Sequence, residues 1–249
     1  MVSVRVIDSP EEFLEACAVI SAGNGPIAID AERASGFTYS QRAYLIQVHR
    51  REAGTFLFDP PAIGDLSALY LQNAEEEWVL HAASQDLACL REVGITPSRI
   101  FDTELSARLL GMERVGLGPV VEALLGIHLA KEHSAADWST RPLPEPWLTY
   151  AALDVELLVD VRDEIEKQLI ESNKLAWAHE EFQATLDKPE KTVSAEPWRR
   201  ISGLHTLRTP RQLAVARSLW TARDEIAQRR DVSPGRLIPD RSIIHVAQA

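Results

Sequence analysis

The sequence predicts an α/β fold, a mixed β-sheet flanked by helices, followed by a small all-α module. Three observations carry this expectation. Residues 1–186 alternate strand-like and helix-like segments, the pattern of a layered α/β domain. Three strand-like segments come first, joined by connections short enough for antiparallel neighbours. Residues 187–197 (DKPEKTVSAEP) are then polar, contain two prolines and lack periodicity, and only helical patterning follows them. The expected organisation is a first domain over 1–186, a linker over 187–197 and a helical module over 198–249.

The elements follow in order. Ser9-Pro10-Glu11-Glu12 supplies a capping hydroxyl, a first-turn proline and acids that complement the helix dipole. That helix should run to about Ile20 and stop at Gly23-Asn24-Gly25. Residues 26–32 read as a buried strand, with further strands over 44–49 and 55–59, the last closed by Asp59-Pro60-Pro61. A helix over 65–72 leads to a strand over 78–82. Ser84 is placed as the cap of the next helix, which runs through Val93 to a stop at Gly94. Residues 99–101 form a short strand, and Asp102 or Thr103 caps the helix after it. From Gly118 the pattern is helical, broken by a proline-rich stretch over 141–146. Thr209-Pro210 opens a long helix through Arg230, with Leu213, Ala216, Leu219, Trp220, Arg223 and Ile226 on or near one stripe. Ser233-Pro234 and Asp240 mark two further helix starts. A helical unit of this size is below what usually folds alone, so the module reads as incomplete.

Composition narrows the class. A hydrophobic fraction of 45% in 249 residues allows a sizeable core and argues against disorder. No apolar run approaches the ~20 residues that span a bilayer, and no membrane partner is expected. The start lacks a basic segment followed by an apolar stretch. The two cysteines, Cys17 and Cys89, sit among apolar residues and read as small buried hydrophobes. A soluble protein of a reducing cytoplasm is therefore expected. The net charge of −11 is unevenly spread. Residues 198–249 hold ten arginines against four acidic residues, a net of +6, whereas the rest holds 16 basic and 33 acidic residues, a net of −17. An acidic body tolerates a carboxylate-rich site, and a basic tail can grip a polyanion.

Candidate chemistry lies in the carboxylates. Asp30 and Glu32 are two apart on an expected strand, so their side chains leave the same face. Two like charges side by side are unfavourable unless a cation lies between them, and hard oxygen donors select Mg²⁺ or Mn²⁺. Taken alone, an Asp-x-Glu on a strand is equally a pair of solvated surface acids. Asp86 falls in the first turn of a helix, where a dipole-capping acid reads as well as a ligand. Tyr150 and Asp154 are one turn apart on one helical face, which also suits a core tyrosine beside a solvated acid.

Together these elements resemble the DEDD exonucleases, within them the tyrosine subclass typified by ribonuclease D. The resemblance covers residues 1 to about 186 and rests on ordered stretches: IAIDAE (27–32) with LIQV (45–48), HAASQDL (81–87), FDTELSARLLG (101–111) and KEHSAADWSTRPLPEPWLTYAALDV (131–155). The histidine subclass would place its histidine five positions before the last Asp, where Thr149 stands; Tyr150, four before, fits the tyrosine subclass. The usual motif reads Asp-Thr-Glu-Phe, whereas Ala31 and Arg33 stand here, and Gln85 replaces a frequent Glu. Arg33 reads as a surface arginine rather than a phosphate contact. Trp138 reads as packing, and Arg141 is open between a phosphate contact and a structural ion pair; Lys131 belongs to the same stretch.

The resemblance implies a ribonuclease H-like sheet and two divalent cations, Mg²⁺ or Mn²⁺. Asp30, Glu32 and Asp154 would hold one metal. Asp30 and the scissile phosphate would bridge a second, with Asp86 acting on it through water. Tyr150 would orient the attacking water and help accept its proton. The implied activity is release of 5′-nucleotides from RNA 3′ ends, in maturation of tRNA or other structured RNAs. A 3′-5′ exonuclease acting on DNA and an inactive nucleic-acid-binding scaffold are the alternatives. The segment from Trp198, with WTARDEIAQRRD and PGRLIPD, resembles the HRDC module, whose role in that family is accessory nucleic-acid binding. A helical cap without such a role is the other reading.

Overall fold

Six strands build the sheet that organises the larger part of the chain. The computed structural model describes residues 5–129, 135–189 and 194–249. The strands are β1 (Val6–Ile7), β2 (Asn24–Arg33), β3 (Ala43–Arg51), β4 (Gly54–Phe58), β5 (Trp78–Leu80) and β6 (Ile100–Asp102). Their spatial order is β1-β4-β3-β2-β5-β6. The meander β2-β3-β4 is antiparallel, whereas β1 joins β4, β5 joins β2 and β6 joins β5 in parallel. A two-residue turn joins β3 to β4 and a longer connection over 34–42 joins β2 to β3, whereas crossover helices permit the parallel pairs. Ile27, Ala28 and Ile29 are successive and all fully buried, so β2 is covered on both faces.

The larger unit's helices are α1 (Pro10–Ser21), α2 (Pro60–Ile63), α3 (Ser67–Leu71), α4 (Leu87–Glu92), α5 (Thr103–Leu110), α6 (Leu117–Leu125), α7 (Glu145–Glu156), α8 (Leu158–Glu171) and α9 (Leu175–Leu186). Ser9 caps α1 as expected, its hydroxyl accepting from the Glu12 amide at 3.3 Å. From α1 the sheet receives Phe13, whose ring meets Phe58 edge to face at 5.2 Å between centroids. The elements β1 and α2 were not foreseen. The two-residue strand β1 is too short to show a period. Asp59 does not merely close β4; its carboxylate caps α2 by accepting from the Ala62 amide.

The chain divides into two units, residues 1–33 with 42–189, and residues 34–41 with 190–249. Residues 34–41, which the sequence places inside the first domain, thus belong with the C-terminal segment. That second unit contains α10 (Pro210–Arg230), α11 (Pro234–Leu237) and α12 (Asp240–Gln248). Thr209 and Gln212 cap α10 reciprocally. Trp198, Ile201, Leu207, Ala216, Ile243, Ile244 and Ala247 form its core. Arg223, only 5% exposed, turns inward to donate to Asp240 Oδ1 and the Ile238 carbonyl, both at 2.7 Å. One of the ten tail arginines is therefore structural.

Candidate metal centre

Strand β2 delivers Asp30 and Glu32 from its C-terminal half, as the two-residue period requires. Oxygen atoms of Asp30, Glu32 and Asp154 all lie within 4.8 Å of one another. Asp154 reaches them from α7, which packs across β2, β3 and β4. One turn earlier, Tyr150 hydrogen-bonds the Asp154 carboxylate. Thr149 is exposed and donates to the Glu145 carbonyl of its own helix, away from the cluster. Gln47, fully buried and facing Asp30 in the β2-β3 register, donates to Asp30 Oδ2 at 3.5 Å.

Asp86 arrives by a different route. After β5 the chain turns through Ala82 in a left-handed conformation (φ 63°), a 3₁₀ turn over Ala83–Gln85, and Asp86 at the N-cap position of α4. Ser84 therefore lies inside the 3₁₀ turn and does not cap α4, contrary to the sequence reading. The turn is fastened by Asp102. This carboxylate, 1% exposed, accepts from the amides of Ala82 and Ala83 at 3.1 and 2.8 Å while capping α5 through Glu104 and Leu105. The cap was legible in the sequence; the second pair of bonds, made across the sheet to the turn carrying Asp86, was not.

A cavity of about 350 Å³ is lined by all five of these residues, with Arg33, His81 and apolar side chains of Leu117, Leu129 and Leu158. Strict alternation would send Arg33 to the face opposite Glu32. The register slips between them, Glu32 facing Leu45 and Arg33 facing Ala43, and such irregularities re-aim side chains. Arg33 Nη2 lies 3.3 Å from Asp86 Oδ1, with its side chain 25% exposed. The surface reading of Arg33 is thereby corrected. His81 sits 2.9 Å from Thr103 Oγ1, and burial lowers its pKa to about 4, so it is neutral at pH 7.

Burial dominates the electrostatics. Desolvation, then the charges of Asp30, Asp154 and Asp86, pushes Glu32 up to about 9. Desolvation and Asp30 raise Asp86 to about 8 and Asp154 to about 7, and desolvation raises Asp30 too. Carboxylates so placed hold protons unless a cation replaces them. The donors are all hard oxygens crowded in one pocket, which fits a hard divalent cation.

The remaining candidates in the stretch before α7 are structural. Trp138 is fully buried, 5.3 Å from the Trp147 ring. Arg141 donates to Asp59 Oδ2 at 2.6 Å and to the carbonyls of Trp138, Thr140 and Tyr44 at 2.8–2.9 Å. The ion-pair reading of Arg141 is the correct one. Lys131 lies outside the described residues.

Residues 4–170 match the family model described as 3′-5′ exonuclease. The chain belongs to the 3′-5′ exonuclease family. Residues 212–249 match the HRDC domain. Ribonuclease D of Bartonella henselae is 30% identical over 89% of the chain, and the chain spans 55% of that relative, about half the length of the curated relatives it matches. A protein of solved structure from Bifidobacterium adolescentis is 44% identical, with a TM-score of 0.95 over 99% of this chain and 61% of that one. Escherichia coli RNase D, described as an exoribonuclease involved in structured RNA processing, is 30% identical, with a TM-score of 0.76 over 98% of this chain and 66% of that one. The mixed sheet with flanking helices is thus the ribonuclease H-like exonuclease fold.

Proposed function

We propose that this protein is a metal-dependent 3′-5′ exoribonuclease of ribonuclease D type, releasing 5′-nucleotides from RNA 3′ ends. The observation that carries the reading is the convergence of Asp30, Glu32 and Asp154 within 4.8 Å, with Tyr150 one turn before Asp154. Asp30, Glu32 and Asp154 would hold one Mg²⁺ or Mn²⁺, and Asp30 with Asp86, the latter through water, a second. Such a pair, when bound, stabilises the attacking and leaving oxygens of an in-line displacement. Tyr150 orients the attacking water. Without metal, burial and the neighbouring carboxylates push its phenol pKa upward, which favours a hydrogen-bonding role over that of the principal proton acceptor. The net +6 of residues 198–249 supports a role for the HRDC-like module in holding the phosphate backbone. A division into an exonuclease domain (1–186, less residues 34–41, which group with the C-terminal segment), a linker (187–197) and that module (198–249) belongs to the same proposal.

The likeness to a structured-RNA exoribonuclease favours RNA over DNA as substrate. The test uses 5′-labelled RNA and DNA of matched sequence with Mg²⁺ or Mn²⁺, reading product lengths over time. Expected is a ladder on RNA that disappears in EDTA, in Asp30→Ala and in Asp154→Ala, with Tyr150→Phe at least about tenfold slower. Digestion confined to DNA would overturn the substrate; wild-type rates in Asp30→Ala would overturn the site.

A further inference from the structure

Of the four acidic residues in the cavity, three converge and one does not. Asp30, Glu32 and Asp154 share a common space, whereas Asp86 lies outside that group and is ion-paired with Arg33 at 3.3 Å. Asp86 is 5% exposed, so solvent supplies little of its charge compensation. Arg33 follows Glu32 directly in β2 and is turned into the cavity at the register slip. It stands where the motif of the resembling family carries an apolar Phe.

We propose that Arg33 is a built-in counter-ion to Asp86 that competes with the second divalent cation for that carboxylate. The inference rests on the metal-site reading given above. In the metal-free protein the guanidinium lies 3.3 Å from Asp86 Oδ1, against the one acid that stands outside the group formed by the other three. A second cation drawn to Asp86, directly or through water, loosens or displaces the contact with Arg33, at the cost of that buried pair and of repulsion between two positive charges. The first cation, at Asp30, Glu32 and Asp154, meets Arg33 less directly, since the guanidinium acts on Asp30 and Glu32 through space but forms its ion pair with Asp86. Arg33 is in this sense a positioning residue: it makes the two ions bind in sequence, the second more weakly.

Mn²⁺ uptake separates this role from a merely structural one. Free Mn²⁺ is followed by electron paramagnetic resonance during titration of wild type, Arg33→Gln and Arg33→Lys, with folding checked by circular dichroism. Expected are two ions in wild type, the second at least about tenfold weaker than the first. The second ion should tighten about tenfold or more in Arg33→Gln and stay near wild type in Arg33→Lys, which keeps the charge. Unchanged or weaker second-ion binding in folded Arg33→Gln would overturn the proposal. Should that variant not fold, wild type alone suffices: saturating Mg²⁺ should speed solvent exchange of the Arg33 guanidinium protons in ¹⁵N NMR, and unchanged exchange would refute displacement. Absence of any Mn²⁺ uptake by wild type would refute the metal site itself and the competition with it, whereas two equally tight ions would refute only the competition.

Discussion

Asp30 and Glu32 were legible because the strand period is two and needs no tertiary information. Arg33 was not, because its direction depends on a register slip against β3, set by how two distant segments pair. Burial of the clustered acids, reinforced by their mutual repulsion, makes the metal-free site a source of instability with a definite pH sign. Glu32, Asp86 and Asp154 have folded-state pKa values raised to about 9, 8 and 7, against ~4 for such groups in an unfolded chain. The folded protein therefore binds more protons than the unfolded one between about pH 4 and 9, and its stability falls as pH rises through that window. His81, lowered to about 4, acts in the opposite direction but only below about pH 6.5, its unfolded value. Between pH 7 and 9 the carboxylates act without it. In EDTA the protein should lose on the order of 2 kcal/mol over that range. Mn²⁺, which displaces the protons, should raise the melting temperature more at pH 8.5 than at pH 6. Melting curves measured with and without Mn²⁺ across this range decide the matter. A metal-free melting temperature that holds constant or climbs from pH 7 to 9 would contradict the electrostatic account.

Helix α7 carries two of the five candidate site residues, yet it has no side-chain N-cap of its own, and Pro144 precedes it. Its entry is fixed instead by Arg141, whose guanidinium ties Asp59 to three backbone carbonyls. The sequence showed a proline-rich break at this place but not which partner the arginine would choose. That choice depends on Asp59, 82 residues earlier, being buried at the end of β4. Arg141→Ala leaves Asp59, 6% exposed, without this cation. Breaking a buried pair costs ~3–5 kcal/mol, and because the Arg141 side chain is 35% exposed the expected loss is nearer about 2 kcal/mol. Arg141→Lys keeps the charge but not the fork that reaches three carbonyls, and should fall between. Urea unfolding measures both. If Arg141 served the phosphate instead, Arg141→Ala would weaken RNA binding in low salt with stability unchanged, the outcome that would return it to the substrate side.

At the scale of the whole chain, the sequence led us to expect a boundary in the polar stretch over 187–197 and placed residues 34–41 inside the first domain, whereas they group with the C-terminal segment. Nothing local in ASGFTYSQ announces a distant partner; the segment simply reads as a connection between β2 and β3. Among the described residues its hydrogen-bond partners include several from the second unit. Asp231 accepts from the Ser40 amide at 2.8 Å and from its hydroxyl at 3.1 Å, and Asp224 accepts from the Tyr39 hydroxyl at 3.2 Å. Arg236 donates to the Gly36 carbonyl at 2.8 Å and lies over the Phe37 ring, 4.0 Å from its centroid. The Ser233 amide closes the set on the Phe37 carbonyl at 2.9 Å. Asp231 itself ends α10 in the left-handed conformation, at φ 47°. That geometry permits an unusually clean test, since glycine adopts it without strain. Asp231→Gly removes the carboxylate while favouring the helix terminus, so α10 should persist while the hold on 34–41 weakens. Hydrogen exchange at the Ser40 amide should accelerate by about tenfold or more, the ~1.4 kcal/mol of one charge-assisted bond, with the α10 amides unchanged. Asp231→Asn, which retains one acceptor oxygen, should fall between. Equal protection of Ser40 in wild type and Asp231→Gly would show that the ring contact and the remaining bonds hold the segment without the carboxylate.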